Sequence, residues 1–309
     1  MSNIRSSQRR PRVLFLGMQN DFSYPSLRAL ITHDIEVCAI VVPASLPPGI
    51  DFPAIQRREQ PNTAHPILPL LHSSVLQLAW AQQIPLWEVQ RISDPKAVSV
   101  MTTYQPDIIC VACFPQRIPR AILNLPSLGC LNVHPSLLPA NRGPVPLFWT
   151  FREGDEQTGV TIHLMEETMD SGDILAQELI NIPDGISYTQ LESQCALHGG
   201  ELLAQTVWDV YKGSAVRVPQ DETMSSYHPF PSAQDFVIRT SELSARHVYN
   251  FLCGVAHWGE PITLEVAGKY ISVQKALSYH HKDMDHTPVE SRDEMWIPCE
   301  VGWVIIKTY

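Results

Sequence analysis

Three side chains in this chain have the types and spacing for acyl-group chemistry. Asn132 and His134 stand two residues apart at the end of the apolar run Leu128 to Val133, and Asp170 lies thirty-six residues beyond His134 in the turn Met169-Asp170-Ser171-Gly172. On a strand, side chains alternate between faces, so Asn132 and His134 point the same way. Pro135 ends the strand at once, which puts the pair at its carboxyl end, where open parallel sheets place their sites. An amide N–H and an imidazole N–H are both donors, and two convergent donors suit an oxygen that gains negative charge when a carbonyl is attacked. Asp170, folded back beside His134, would fix the imidazole tautomer, favour the imidazolium and take a proton from an incoming amine, directly or through one water. None of the three need be a nucleophile. The plainer reading makes Asn132 and His134 turn-capping residues at a strand end and Asp170 an Asx-turn residue before Ser171-Gly172; finding both elements together favours the chemical reading.

The elements that must position these residues read as α/β. Val13-Leu14-Phe15-Leu16, closing on Gly17, is a first strand, and Pro25 suits the first position of a helix carrying Leu27, Leu30 and Ile31. A strand, turn and helix also open dinucleotide-binding sheets, but one glycine here against the three of that fingerprint argues against a nicotinamide dehydrogenase. A second strand spans Glu36 to Val42, and the proline-rich stretch Pro43 to Pro69 reads either as a functional lid or as a disordered surface loop. A helix over Leu70 to Gln83, a strand over Pro85 to Val89 and a helix over Pro95 to Tyr104 lead to a central strand, Asp107 to Phe114. That strand is apolar on both faces and so buried in a parallel sheet. A short helix from Pro119 precedes the strand of Asn132 and His134. Beyond it come a helix near Val145, a strand Val160 to Met165 carrying His163, and a strand Ile174 to Ile182. A long helix then runs from Ser187 to about Lys212, with Gln190 completing a capping box and Leu191, Cys195, Leu202, Leu203 and Val207 at helical spacing.

The run Asn132-Val133-His134-Pro135-Ser136-Leu137-Leu138-Pro139, then Arg142-Gly143-Pro144, then Thr158-Gly159-Val160-Thr161-Ile162-His163, then Met169-Asp170-Ser171-Gly172, closely resembles the formyltransferases that use 10-formyltetrahydrofolate. Methionyl-tRNA, glycinamide ribonucleotide and amino-sugar formyltransferases belong to that family. The resemblance extends from about Arg12 to about Lys212; it is specific for the reaction type and much less so for the acceptor. It implies a Rossmann-like, mostly parallel sheet, 10-formyltetrahydrofolate as co-substrate without a metal, and catalytic roles for Asn132, His134 and Asp170. It also implies a folate pocket lined by Phe114, by Pro115, Gln116, Arg117 and Ile118 through their backbone against the pterin ring, by Ser136, Leu137, Leu138 and Pro139, and by Glu166, Glu167, Thr168 and Met169. Arg142 and Gly143 would flank the acceptor pocket, Arg142 facing a phosphate or carboxylate, with an ordinary surface arginine as the alternative. His163 matches a family position beside the catalytic Asp, although a satisfied core histidine is the plainer role.

A chain of 309 residues suits one domain of about 200 residues and a smaller one. The expected division is a basic tail over 1–11, a formyltransferase catalytic domain over 12–212, a proline-rich linker over 213–232 and a β-rich domain over 233–309. Four arginines between Ser2 and Arg12, with no apolar core behind them, make that end a tail rather than a secretory signal. Apolar residues make up 44% of the chain, yet no run approaches the roughly 20 of a membrane helix. Seven irregularly spaced cysteines point to reduced thiols and a cytoplasmic location. Cys110 and Cys113 form a C-x-x-C, but on an apolar strand they face opposite sides, so neither a redox pair nor half a zinc site is expected. His280, His281 and His286, among Lys282, Asp283 and Asp285, read as a solvated loop.

In the last segment, a strand Phe236 to Arg239, a helix Ser244 to Gly254, a hairpin turning at Ala267-Gly268 and two strands around Gly302 predict a small barrel-like domain. Its position resembles that of the C-terminal domains of methionyl-tRNA and some amino-sugar formyltransferases. The chain carries a net charge of −10, and Pro219 to Tyr309 hold twelve acidic residues against seven basic. A tRNA-binding domain is expected to be basic, because neutralising phosphates supplies most nonspecific affinity. A small-molecule amine acceptor, such as an amino-sugar nucleotide, is therefore preferred. A methionyl-tRNA formyltransferase is the first alternative. A folate-binding module without catalysis is the second, and the intact trio argues against it.

Overall fold

The computed structural model describes residues 9–45, 52–60, 74–281 and 294–309. Most of the tail, the greater part of the 43–69 stretch and the loop holding His286 lie outside these. Packing divides the chain into two units: Met1–Pro139, Val160–Glu178 and Cys195–Thr223 form the first, and Ala140–Gly159, Leu179–Gln194 and Met224–Tyr309 the second. The sequence predicts a single division at a 213–232 linker; in the structure two earlier stretches pack with the C-terminal segment.

The sheet opens with β1 (Arg12–Gly17), whose Val13 to Leu16 are fully buried. Helix α1 (Ser23–Thr32) follows and starts two residues before Pro25. The missing N–H costs nothing there, since the first helical N–H groups have no partner within the helix; Asn20 Oδ1 accepts the Ser23 N–H at 2.9 Å instead. Next come β2 (Glu36–Pro43), a short β3 (Ile55–Arg57), α2 (Val75–Ala81), β4 (Leu86–Val89), α3 (Pro95–Thr103), β5 (Ile108–Ala112), α4 (Arg120–Leu123) and β6 (Cys130–His134). The β3 strand lies inside the stretch read as lid or loop, and pairs antiparallel with β4. After α5 (Pro146–Glu153) come β7 (Gln157–Leu164), β8 (Ile174–Asn181) and the 25-residue α6 (Tyr188–Lys212). Ser187 and Gln190 form the expected reciprocal cap of α6.

The eight strands lie in the order β3-β4-β2-β1-β5-β6-β7-β8. The central five, β4-β2-β1-β5-β6, are parallel. Their near-continuous apolar runs are what strands covered on both faces require. The chain works outward from β1 on one side and from β5 on the other, so the loops after β1 and β5 flank the switch point at which such sheets open a crevice. No helix of the described residues is long and apolar enough to cross a membrane.

The second unit carries β9 (Val237–Arg239), α7 (Ala245–Val255), β10 (Thr263–Val266), β11 (Lys269–His280), β12 (Met295–Pro298) and β13 (Trp303–Thr308). Its sheet has the order β12-β13-β11-β10-β9, turning at Ala267-Gly268 as expected. Among the described residues this ladder has two free ends. Helix α5 belongs here because its aromatic face finds its partners here: the Phe148 ring lies 5.2 Å from Phe236 and 4.9 Å from Trp258. Gly254 of α7 admits the Phe151 ring, which would lie 2.4 Å from an added Cβ.

Candidate active site

Strand β6 ends the parallel part of the sheet. On one side Asn132 pairs in register with Val111 of β5; on the other, antiparallel, Asn132 faces His163 and His134 faces Thr161 of β7. Asn132 and His134 share one face, and Pro135 follows the last strand residue. The Asn132 carboxamide nitrogen lies 3.1 Å from His163 Nε2. His163 Nδ1 lies 2.8 Å from the Leu164 carbonyl oxygen, which can only accept, so Nδ1 carries a proton; with Nε2 unprotonated, that nitrogen accepts from Asn132. One amide N–H of Asn132 is thereby fixed, and the second N–H keeps its direction.

Asp170 folds back to this cluster. Its carboxylate oxygens lie 3.8 Å from His134 Nδ1 and 3.7 Å from His163 Nε2, and the two imidazoles stand edge to face with centroids 6.3 Å apart. The carboxylate therefore sits between two rings, within direct electrostatic reach of both. Only 12% of the Asp170 side chain and 5% of the His134 side chain meet solvent, so the carboxylate acts on that ring with little screening by water. The site thus holds four side chains. The fourth, His163, is buried as a core histidine would be, yet it orients Asn132.

Several backbone features hold this geometry. Asp170 adopts a left-handed conformation, with φ 53°. Gly172 lies so close to β7 that an added Cβ would be 2.0 Å from the Leu164 carbonyl oxygen. Gln220 Nε2 donates to the carbonyls of both Asp170 and Gly172. On the other side, fully buried Thr161 organises the loop after His134: its hydroxyl donates to Ser136 O at 2.6 Å and accepts from Leu138 N at 3.1 Å and Gln177 Nε2 at 2.9 Å. Gln177 Nε2 also donates to Leu138 O. Gly199 lets α6 press against β6, where an added Cβ would meet Val133 at 2.6 Å. The sequence reading assigns no role to Thr161, Gln177 or Gln220. For Thr161 a signal exists: with His163 it forms a second polar pair two residues apart on an apolar strand.

The loop after β5 and the turn before Asp170 are tied together: Arg117 donates to Glu167 O at 2.7 Å, and Arg120 pairs with the Glu167 carboxylate. Pro115, Arg117 and Glu166 to Met169 are exposed. Phe114 packs against the core and Ile118 is buried. Gln116 is used internally, accepting from Ile92 N and donating to Gln90 O. In the loop after β6, Ser136 and Leu138 are buried while Leu137 and Pro139 are half-buried. Arg142 belongs to the second unit and is buried, so it is no surface arginine. Its N–H donates to Ser226 O and its carbonyl accepts from His228 N; Gly143 lies against His228 O, where a Cβ would be 2.1 Å away. Cys110 is buried on β5, whereas Cys113 lies beyond the strand end, exposed, with its Sγ 3.0 Å from Asn20 Nδ2. Among the described residues no group of three or more His, Cys, Asp or Glu side chains is arranged to hold a metal ion.

An amide, two imidazoles and a carboxylate converge at the carboxyl end of a parallel-sheet strand, a set of donors and an acceptor suited to acyl transfer. The chain belongs to the formyl transferase family, whose sequence model matches residues 25–207, and its chemistry is formyl transfer. It is 36% identical over 230 residues to a methionyl-tRNA formyltransferase of Syntrophus aciditrophicus, covering 74% of this chain and 68% of that one. Among solved structures it is similar to WlaRD, a sugar 3N-formyl transferase crystallised in the presence of dTDP and 5-N-formyl-THF, with a TM-score of 0.65 at 15% identity over 97% of this chain and 98% of that one. It is also similar to a HypX variant from Aquifex aeolicus, with a TM-score of 0.58 at 18% identity over 96% of this chain; the match spans 44% of HypX. These two structural likenesses establish the fold.

Proposed function

We propose that the chain moves the formyl group of 10-formyltetrahydrofolate to a primary amine on a small acceptor, with Asn132, His134 and Asp170 as the catalytic residues. The observation that carries this is their convergence, with the Asp170 carboxylate 3.8 Å from His134 Nδ1. The donor supplies a formyl carbon open to direct attack by an amine. Asn132 and His134 donate hydrogen bonds to the formyl oxygen as its negative charge grows. Asp170, 3.8 Å from His134 Nδ1, orients that imidazole and accepts the proton the amine loses; the adduct then breaks its bond from the formyl carbon to N10, and tetrahydrofolate leaves with that proton. His163 holds the Asn132 carboxamide in its donating orientation.

The loops fit a flat, polar heterocycle. Phe114 packs against the core, Ile118 is buried and Gln116 is used internally, so the loop after β5 presents backbone N–H and C=O groups. The exposed turn Glu166 to Met169, tied to it through Arg117, supplies a second backbone edge. The acidic balance of the C-terminal segment favours a small acceptor such as an amino-sugar nucleotide, and the sugar 3N-formyl transferase WlaRD shares the fold over nearly its whole length. A second reading, initiator methionyl-tRNA as acceptor, is favoured by the name of the Syntrophus relative. Release of tetrahydrofolate from 10-formyltetrahydrofolate, measured side by side with initiator methionyl-tRNA and with amino-sugar nucleotides, decides between them. Turnover on an amino-sugar nucleotide alone supports the first reading, and turnover on the tRNA alone replaces it with the second.

A further inference from the structure

We infer that Gln220, in the stretch that reads as linker, is a positioning residue for Asp170; the inference rests on the reading of Asp170 as the proton acceptor. After α6 the chain returns to the large sheet. Val218 and Ile174 exchange both backbone hydrogen bonds at 2.9 Å, an antiparallel bridge at the first residue of β8. Two residues on, the Gln220 side chain reaches the turn that precedes β8. Its Nε2 donates to Asp170 O at 2.8 Å and to Gly172 O at 2.7 Å. One carboxamide thus brackets Ser171 and fixes the spacing of the two carbonyls around it.

The turn needs such a holder. Asp170 has a φ of 53°, a conformation that non-glycine residues adopt only where the surroundings impose it. On its far side the turn is stopped by β7, with no room for a Cβ at Gly172. Gln220 closes it from the other side. The carboxylate can keep its place between His134 Nδ1 and His163 Nε2 only while the turn keeps its shape, because a rotation of the Asp170 backbone carries the side chain with it. Gln220 holds the turn through these two hydrogen bonds, and through that turn it acts on Asp170.

The test uses the full chain. Gln220→Met keeps the side-chain length and removes both donors, and Gln220→Glu sets carboxylate oxygens against two carbonyls. Both are compared with Asp170→Asn and with the double variant Gln220→Met/Asp170→Asn. Turnover of 10-formyltetrahydrofolate is followed with initiator methionyl-tRNA and with an amino-sugar nucleotide, and the 15N shifts of the His134 imidazole are recorded with no acceptor present. The expected result is a kcat lower by about tenfold to a hundredfold in Gln220→Met at an unchanged KM for the donor, with a larger loss in Gln220→Glu. The His134 shifts in Gln220→Met should move toward those of Asp170→Asn, and the double variant should be no slower than Asp170→Asn alone. Wild-type imidazole shifts in Gln220→Met, or a further loss of the same size on the Asp170→Asn background, would overturn the inference. If Asp170→Asn itself matches the wild type in both readouts, the reading of Asp170 fails, and this inference fails with it.

Discussion

Thr161→Val is the substitution whose effect the structure prescribes most closely. Thr161 is fully buried on β7 opposite His134, and its hydroxyl makes the three hydrogen bonds that shape the loop following that histidine. Valine occupies nearly the same volume, so no cavity opens and the cost is polar. Gln177 Nε2 keeps its bond to Leu138 O, but the Leu138 N–H and the Ser136 carbonyl each lose Thr161. With about 1–3 kcal/mol for each of the two buried groups deprived of a partner, the expected loss is about 2–6 kcal/mol. Thr161→Ser keeps the hydroxyl and forfeits one methyl, a loss of about 1 kcal/mol. Urea unfolding should therefore rank wild type above Thr161→Ser and Thr161→Ser above Thr161→Val. Transfer should fall by about tenfold in Thr161→Val, because the loop begins one residue after His134 and a small displacement there misplaces the imidazole. A valine variant as stable as the serine variant, with wild-type kcat, would refute the assignment of this hydroxyl.

Three further outcomes are expected. Gly172→Ala puts a Cβ 2.0 Å from the Leu164 carbonyl oxygen, so the Asp170 turn must move; kcat should drop by about a hundredfold while donor binding, followed by fluorescence titration, is retained. In the second unit Asp155 is exposed as a residue, yet partial desolvation of its carboxyl and then the neighbouring Glu153 charge push it up from 3.8 to about 6, against a hydrogen bond from Asn141 and the charge of His228. Between those values the folded chain holds a proton that the unfolded chain has released, so this group's contribution to stability falls as pH rises through that window. Thermal unfolding of Asp155→Asn from pH 4 to 7 should show a smaller decline than wild type. Burial pushes the thiols of Cys38 to about 11 and Cys130 to about 12 and raises Cys110 well above its ordinary value, whereas Cys113 is exposed. Iodoacetamide followed by peptide mapping should mark Cys113 in the native protein and the other three only after denaturation.

Local pattern carries much of this architecture. The run of β5, apolar on both faces, reads as a buried parallel strand, β1 and β2 read as strands, and the polar pair on β6 stands out because an amide and an imidazole two residues apart on an apolar strand are costly unless they have work or partners. Hydrogen-bond partners distant in sequence are the illegible part. Nothing within 213–232 says that Gln220 returns to Asp170, since the contact is made by a side chain across 50 residues. His163 reads as a core histidine by the same local rule that is true of it; its second role follows from register, which sets it opposite Asn132. Helix α5 reads as a continuation of the sheet domain in sequence, but the aromatic rings that cover it come from residues 236 to 258. The short edge strand β3 is hidden by prolines on both sides that remove any visible alternation.

The central claim is that Asn132, His134 and Asp170 carry out the transfer. The most direct test measures single-turnover formyl transfer and, separately, equilibrium binding of 10-formyltetrahydrofolate in Asn132→Ala, His134→Ala and Asp170→Ala. Each variant should bind the donor as the wild type does and lose about a hundredfold to a thousandfold in the transfer rate. Wild-type transfer in the Asp170 variant, or losses confined to donor affinity in all three, would contradict the assignment.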